Sequence, residues 1–136
     1  MTDTTESVHF GGAGLDLATL NLMLEALGDF VDASLDPQLV LDLDHEDRCP
    51  EDIVRAMSDP ETLGVQLVFI PEAYGGMDGG AFDAYRVCEA MARKDIGLAT
   101  AVFATFLGSD PIVVGATEDQ KLEWLGAIAE QGVVFA

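Results

Sequence analysis

Asp42-Leu43-Asp44-His45-Glu46-Asp47 is the densest run of side chains that could bind a metal ion or move a proton. A calcium loop needs a glycine at its sixth position and an acid at its twelfth. Counted from Asp42, those positions are Asp47 and Ile53, so the run reads as a solvated acidic surface. His45 and His9 have no partner at ligand spacing, and the chain carries neither an HExxH pair nor a Cys/His cluster. Both read as surface histidines. Gly12-Ala13-Gly14 begins like a dinucleotide loop, but its third glycine position is Leu17 and no strand precedes it. Ser34, Ser58 and Ser109 fall in turn or cap contexts, not on the strained elbow of a nucleophilic serine. Cys49 and Cys88 are far apart and outside any CxxC pattern, as two free thiols in a reducing compartment would be. Residue types and spacing yield no self-contained catalytic constellation and no metal ligand set.

Charge narrows the partners. Against 25 acids the chain has 6 bases, a formal net of −19. The excess is concentrated early: residues 1–80 hold 17 acids and 2 bases, residues 81–136 hold 8 and 4. Such a field repels phosphate backbones and anionic lipid surfaces, which argues against nucleic-acid and membrane partners. The polar, acidic start Met1-Thr2-Asp3-Thr4-Thr5-Glu6 is unlike a signal peptide, and a cytoplasmic location is the expectation. With 49% hydrophobic residues in 136, one sizeable core is within reach.

Those side chains must be positioned by helices. Residues 1–14 end in a glycine run and read as a flexible N-terminal arm, followed by a helical domain over 15–132. Leu20, Met23, Leu24, Leu27, Phe30 and Val31 recur at three and four, a helical face that Asp36-Pro37 closes. Leu39 to Asp52 is an acidic connection ending at a helix start, Pro50-Glu51-Asp52, with Ile53, Val54 and Met57 inward. Val65 to Ile70 has strand propensity but no partner strand, and is expected as an extended, buried connection before the glycine-rich loop Pro71 to Gly80. A helix over about 81–93 would turn Phe82, Tyr85, Val87, Cys88, Met91 and Ala92 mostly inward. A second, about 98–107, stops at Gly108-Ser109-Asp110-Pro111, too short at about 12 residues for the roughly 20 of a membrane span. A third begins near Thr117 and presents Leu122, Leu125, Ile128 and Ala129 to a core. Val133 to Ala136 reads as the start of a strand from a truncated or separately supplied β-domain.

Gly64-Val65 leads into Ile70-Pro71-Glu72-Ala73-Tyr74-Gly75-Gly76-Met77, then come Asp83, Glu89 and Ala92-Arg93-Lys94-Asp95. Gly115-Ala116-Thr117-Glu118-Asp119-Gln120-Lys121 and Trp124-Leu125-Gly126-Ala127-Ile128-Ala129 follow. In that order and spacing the chain resembles the N-terminal helical domain of the acyl-CoA dehydrogenases. The motifs cover about half the chain, and the earlier helices fit more loosely. Locally they read as fold maintenance: Pro71 ends the extended run, Gly75 and Gly76 permit a sharp turn, and Asp83 and Glu89 sit on the outer face of a helix.

The resemblance implies an all-α bundle of about five or six helices belonging to an FAD-dependent enzyme that desaturates an acyl-CoA thioester. In such enzymes a glutamate removes the α-proton while the β-hydride passes to flavin N5. The flavin-contacting Thr-Glu-Pro and Gly-Ser-Asp segment and the catalytic glutamate are expected beyond Ala136, so no catalytic or cofactor-binding residue is assigned. Ala99, Thr100, Phe103 and Leu107 align with the acyl-pocket wall and are expected to share one helical face. The implied partners are an acyl-CoA substrate, the remainder of the enzyme or a companion chain in a homo- or hetero-oligomer, and electron-transfer flavoprotein. An acyl-CoA oxidase on the same scaffold and a non-catalytic acidic helical subunit that pairs with a partner chain are the alternatives.

Overall fold

The computed structural model describes residues 14–135. The arm expected over 1–14 therefore lies outside the described residues except for Gly14, as do His9, the first two residues of Gly12-Ala13-Gly14, and Ala136. Among the described residues there are six α-helices, two 3-10 turns and no strand, so the all-α bundle holds. The helices are α1 (Leu17–Ser34), α2 (Pro37–Glu46), α3 (Glu51–Ser58), α4 (Ala81–Ala92), α5 (Ile96–Gly115) and α6 (Glu118–Gln131). The 3-10 turns, Val65–Phe69 and Glu72–Tyr74, lie between α3 and α4.

Most helix starts follow from capping chemistry. Asp16 accepts from the N–H groups of Ala18 and Thr19 and opens α1, while Asp95 accepts from Leu98 and opens α5. Thr117 and Gln120 form a reciprocal capping box at α6. Asp36-Pro37 corrects the sequence reading. It closes α1 but also opens α2, because Asp36 caps the N–H groups of Gln38 and Leu39 and Pro37 occupies the first turn, where its missing N–H costs nothing. The acidic connection is thus a helix with one buried residue, Leu43.

The segment Val65 to Ile70 is buried as expected but is not extended. With no strand to pair with, it coils into a 3-10 turn, and the glycine loop folds back along it. The N–H groups of Met77, Gly79 and Asp78 donate to the carbonyls of Leu67 (2.7 Å), Val68 (2.9 Å) and Ile70 (3.0 Å). That approach requires glycine: a Cβ on Gly76 would stand 1.9 Å from the Ile70 carbonyl oxygen, and one on Gly79 2.4 Å from that of Val68.

Helix α5 is the axis of the fold, with α4, α3 and α6 packed on it and α1 packed on α4. It does not stop at Gly108: Ala116 still donates to Ile112, and Pro111 lies inside the helix. Ser109 is buried and donates to the Phe106 carbonyl, and Gly108 lets Phe135 approach to where a Cβ would be 3.0 Å away. The helix thus continues through Pro111, with Phe135 packed against Gly108 and Ser109 bonded back within its own turn. Because it runs through the expected break, α5 is longer than the sequence predicts and is, among the described residues, the one helix long and apolar enough to cross a membrane. Its buried residues Leu98, Val102, Thr105 and Ser109 recur at four and three, as on the inner face of a core helix.

Two hydrophobic cores result. The larger gathers Leu27, Val31, Val54, Met57, Val65, Val68, Val87, Met91, Leu98, Ala99 and Val102. The smaller holds Ile70, Leu125, Ile128 and Ala129. Three side chains expected to face inward do not. Phe82 and Tyr85 are exposed because the inner face of α4 runs through Asp83, Val87 and Met91, at steps of four. Leu122 is 58% exposed; in its turn of α6 the covered side chain is Lys121, whose ammonium reaches Glu118. Val133 to Phe135 forms no strand; the Phe135 N–H instead donates to Thr105 Oγ1 at 3.0 Å.

Candidate functional site: an aromatic face on helix α5

The four residues aligned with an acyl-pocket wall part company in space. Neighbours on a helix diverge by about 100°, and Ala99 turns into the larger core beside Leu98 and Val102. Thr100 is exposed, Leu107 is 69% exposed, and Phe103 between them is half-buried. At steps of three and four, these three make one strip along the outside of α5. The Thr100 hydroxyl donates to the Ile96 carbonyl at 2.8 Å, so its hydrogen is already engaged with its own helix.

Two residues that sequence reasoning missed join this strip. Phe106 follows Phe103 by one turn, and Phe69 arrives from the 3-10 turn Val65–Phe69. Ring centroids lie 5.1 Å apart for Phe69–Phe103, 4.9 Å for Phe69–Phe106 and 5.8 Å for Phe103–Phe106, all in tilted or edge contact. The Phe103/Phe106 spacing was visible in the sequence. Phe69 was not, because its direction depends on a 3-10 turn where an extended run was expected.

A groove of about 680 Å³ lies farther along α5, lined by Gly108, Pro111, Ile112, Gln120, Trp124 and Phe135. Trp124 and Phe135 face each other across 6.4 Å. A second depression, about 610 Å³, is lined by Val40, Asp44, Arg48, Cys49, Asp95 and Ile96. Cys49 is exposed there and free, and Cys88 is free in α4. Among the described residues no group of three or more His, Cys, Asp or Glu side chains is arranged to hold a metal ion.

The motif residues meet one another rather than any ligand. The Tyr74 hydroxyl donates to Glu118 Oε2 at 2.8 Å, while Lys121 Nζ stands 3.1 Å from Glu118 Oε1. The Pro-Glu-x-Tyr-Gly-Gly turn is therefore tied to the first turn of α6. Acceptance from Tyr74, then the Lys121 contact, hold the Glu118 carboxyl below its ordinary range, and the same bond raises Tyr74. Gly75, at φ 90°, brings the turn against Ala129, where a Cβ would sit 3.3 Å away.

Asp83 is a correction. It is not on an outer face but 3% exposed, and its Oδ2 accepts from the N–H groups of Gly80 (2.8 Å) and Leu15 (2.9 Å). One carboxylate thereby closes the N-terminus of α4 and fastens the start of the described chain to it. Glu89 is partly covered and pairs with Arg93 at 2.8 Å and Arg86 at 3.5 Å.

Geometry alone defines an all-α scaffold domain whose conspicuous residues fasten its own turns, with open apolar surface gathered along α5. Comparison with known proteins supplies the family. The model for the acyl-CoA dehydrogenase N-terminal domain matches residues 20–132, and the chain belongs to that family. It is 27% identical to (2S)-methylsuccinyl-CoA dehydrogenase of Cereibacter sphaeroides over 95% of this chain and 23% of that protein. It is 28% identical to a probable medium-chain specific acyl-CoA dehydrogenase 2, mitochondrial, of Caenorhabditis briggsae over 67% of this chain and 22% of that protein. With an acyl-CoA dehydrogenase of Mycobacterium tuberculosis it shares 34% identity over 54% of this chain and 19% of that protein. The chain thus spans about a fifth to a quarter of the length of these curated relatives. No solved structure gives a significant match.

Proposed function

We propose that this chain is the N-terminal helical part of an FAD-dependent acyl-CoA dehydrogenase, in which it supplies one wall of the acyl site and packs against other parts of the enzyme. The carrying observation is the open strip Thr100–Phe103–Leu107 on the helix that the resemblance aligns with the acyl pocket. A strip of this kind, with the groove at Trp124 and Phe135 farther along the same helix, suits both a fatty acyl chain and an interdomain contact. Ala99 then backs the wall from the core side. Acyl-CoA is the substrate on this reading, the remainder of the enzyme or a companion chain is the structural partner, and the assembly is oligomeric, with electron-transfer flavoprotein as acceptor. A cytoplasmic location belongs to the same reading.

Among the described residues, no unpartnered buried polar atom faces the two open depressions, where a flavin could be held. The buried side-chain polar atoms left without partners are Gln66 Oε1 and Arg86 Nε. Gln66 is enclosed in the core, its amide donating to Ser58 Oγ, and Arg86 Nε lies 3.5 Å from Glu89. Neither lines the two open depressions. On this reading flavin contact and proton abstraction belong to other parts of the enzyme, and this chain's share of the chemistry is to orient the acyl group and keep water from it.

The test is spectroscopic. The complete enzyme should purify with flavin, and anaerobic addition of acyl-CoA should bleach its visible band. A flavin-free enzyme, or a band that no acyl-CoA disturbs, would overturn the reading. Rapid oxygen consumption during turnover would favour the acyl-CoA oxidase alternative.

A further inference from the structure

We propose that α2 is a hinged flap whose closing on the start of α5 is governed by salt, through the acids that line the depression beneath it. The proposal is independent of the acyl-site reading. Three observations carry it. First, α2 is attached only at its ends. It packs closely on none of the other helices and buries one side chain, Leu43. Among the described residues no hydrogen bond or ion pair joins residues 37–46 to another element: Gln38 bonds to Asp42 within α2, and Glu46 pairs with Arg48 just past its end. Both ends suit a hinge. Pro37 begins the helix without an N–H, and Asp47 ends it in the left-handed region at φ 52°.

Second, α2 stands off from the body of the fold with a depression on either side. One, about 610 Å³, separates it from Asp95, Ile96 and Gly97; the other, about 400 Å³, lies towards Val31, Leu35 and Lys94. Val40 and Leu41 line both. Leu41 is 63% exposed, and Ile96, which lines the larger depression with it, is 70% exposed. Closing covers both side chains, so apolar burial favours it. Third, charge opposes closing. Asp44, Asp47 and Asp95 line the larger depression, and the nearby cations are already engaged: Arg48 with Glu46, and Lys94, at the smaller depression, with Asp32. Lowering α2 crowds three carboxylates in a chain of formal net charge −19. The open position is thus a balance between apolar gain and like-charge repulsion, and screening by salt tips it towards closure.

The test is amide hydrogen exchange on the complete enzyme, read over peptides from α2, α5 and α6 at low and high salt. At low salt α2 should exchange roughly 100-fold or more faster than the buried stretch of α5 around Val102. High salt should slow α2 by roughly 3- to 30-fold relative to α6, the reach of a few exposed charge pairs. The reference to α6 removes the general stabilisation that salt gives an acidic protein. Asp44→Asn and Asp47→Asn together should reproduce the slow exchange at low salt, and asparagine tolerates the left-handed conformation at position 47. Asp29→Asn, at an exposed acid of α1 that lines neither depression, should leave α2 unchanged. Leu41→Ser should abolish the slowing by salt, because closing then covers little apolar surface; Leu41 is exposed, so the variant should fold. Exchange of α2 as slow as that of α5 at low salt overturns the proposal, whether another part of the enzyme or a second copy covers the helix. So does fast exchange that salt leaves unchanged, a salt effect that survives in full in the Asp44→Asn/Asp47→Asn enzyme, or one that survives in full after Leu41→Ser.

Discussion

Around the first half of α5, side chains of α1, α3, α4, α5 and the 3-10 turn Val65–Phe69 bury eleven residues in a single cluster; towards the end of α5, Ile70 and α6 bury four. The two cores are stabilised by different means. The larger core is aliphatic packing spread over many positions, and most of its members could be exchanged for residues of similar volume at small cost. The smaller core gathers fewer buried side chains. It relies on particular residues: Gly76 against the Ile70 carbonyl, Gly75 against Ala129, and Tyr74 on Glu118. The motifs that make the family recognisable, Pro71 to Gly76 and Glu118 to Lys121, both lie at this smaller core. Residue identity matters most where packing is thinnest.

Three measurements bear on that contrast. The largest effect should come from the larger core. Leu98→Ala removes a fully buried side chain and should cost about 2–5 kcal/mol, whereas Leu107→Ala, on the open strip of the same helix, should stay within about 0.5 kcal/mol. Denaturant unfolding of both checks this, and equal losses would mean that Leu107 is covered in the folded protein.

Next come the glycines. Gly76→Ala should cost about 1–3 kcal/mol, since its Cβ would meet backbone that the loop bonds hold in place. Gly126→Ala, in α6 with open space around it, should stabilise by about 0.5–1 kcal/mol. A tolerated Gly76→Ala would show that the smaller core does not depend on its turn.

The smallest effect is pH-dependent. Glu118 lies below its ordinary value of 4.5 in the folded protein, so its contribution is complete above that value and fades as pH falls through the lowered one. Tyr74 lies above its ordinary 10.0, so its contribution is complete below that pH and is lost as pH rises through the raised value. Tyr74→Phe should flatten both limbs of the unfolding midpoint against pH. Glu118 is mostly exposed, so the change should be small and should shrink with added salt. An unchanged profile at low salt would remove the bond from the account.

Much of the helical framework could be read directly. The faces of α1 and α3, the Thr117 cap of α6 and the stop at Gly132, which has φ 62°, follow from periodicity and capping, and both are local. The family was legible because its motifs pack identity-critical residues into short stretches. What failed depended on contacts between distant segments. Val65 to Ile70 has strand-forming residues, yet the N–H groups of residues 77–79 reach its carbonyls and a strand partner never does. Gly108 to Pro111 holds breakers, yet α5 runs on through them where Phe135 packs on Gly108 and Ser109 is buried. Asp83 has the composition of a surface residue, yet it accepts an N–H from Leu15, 68 positions away. On α5 the sequence supplied an apolar helix with phenylalanines at three-residue spacing, because side-chain type and helical period are local properties. Tertiary structure alone decided that Ala99 faces the core, that Thr100 and Leu107 stay open, and that Phe69 completes the ring triangle, because each of these depends on what stands across from the helix.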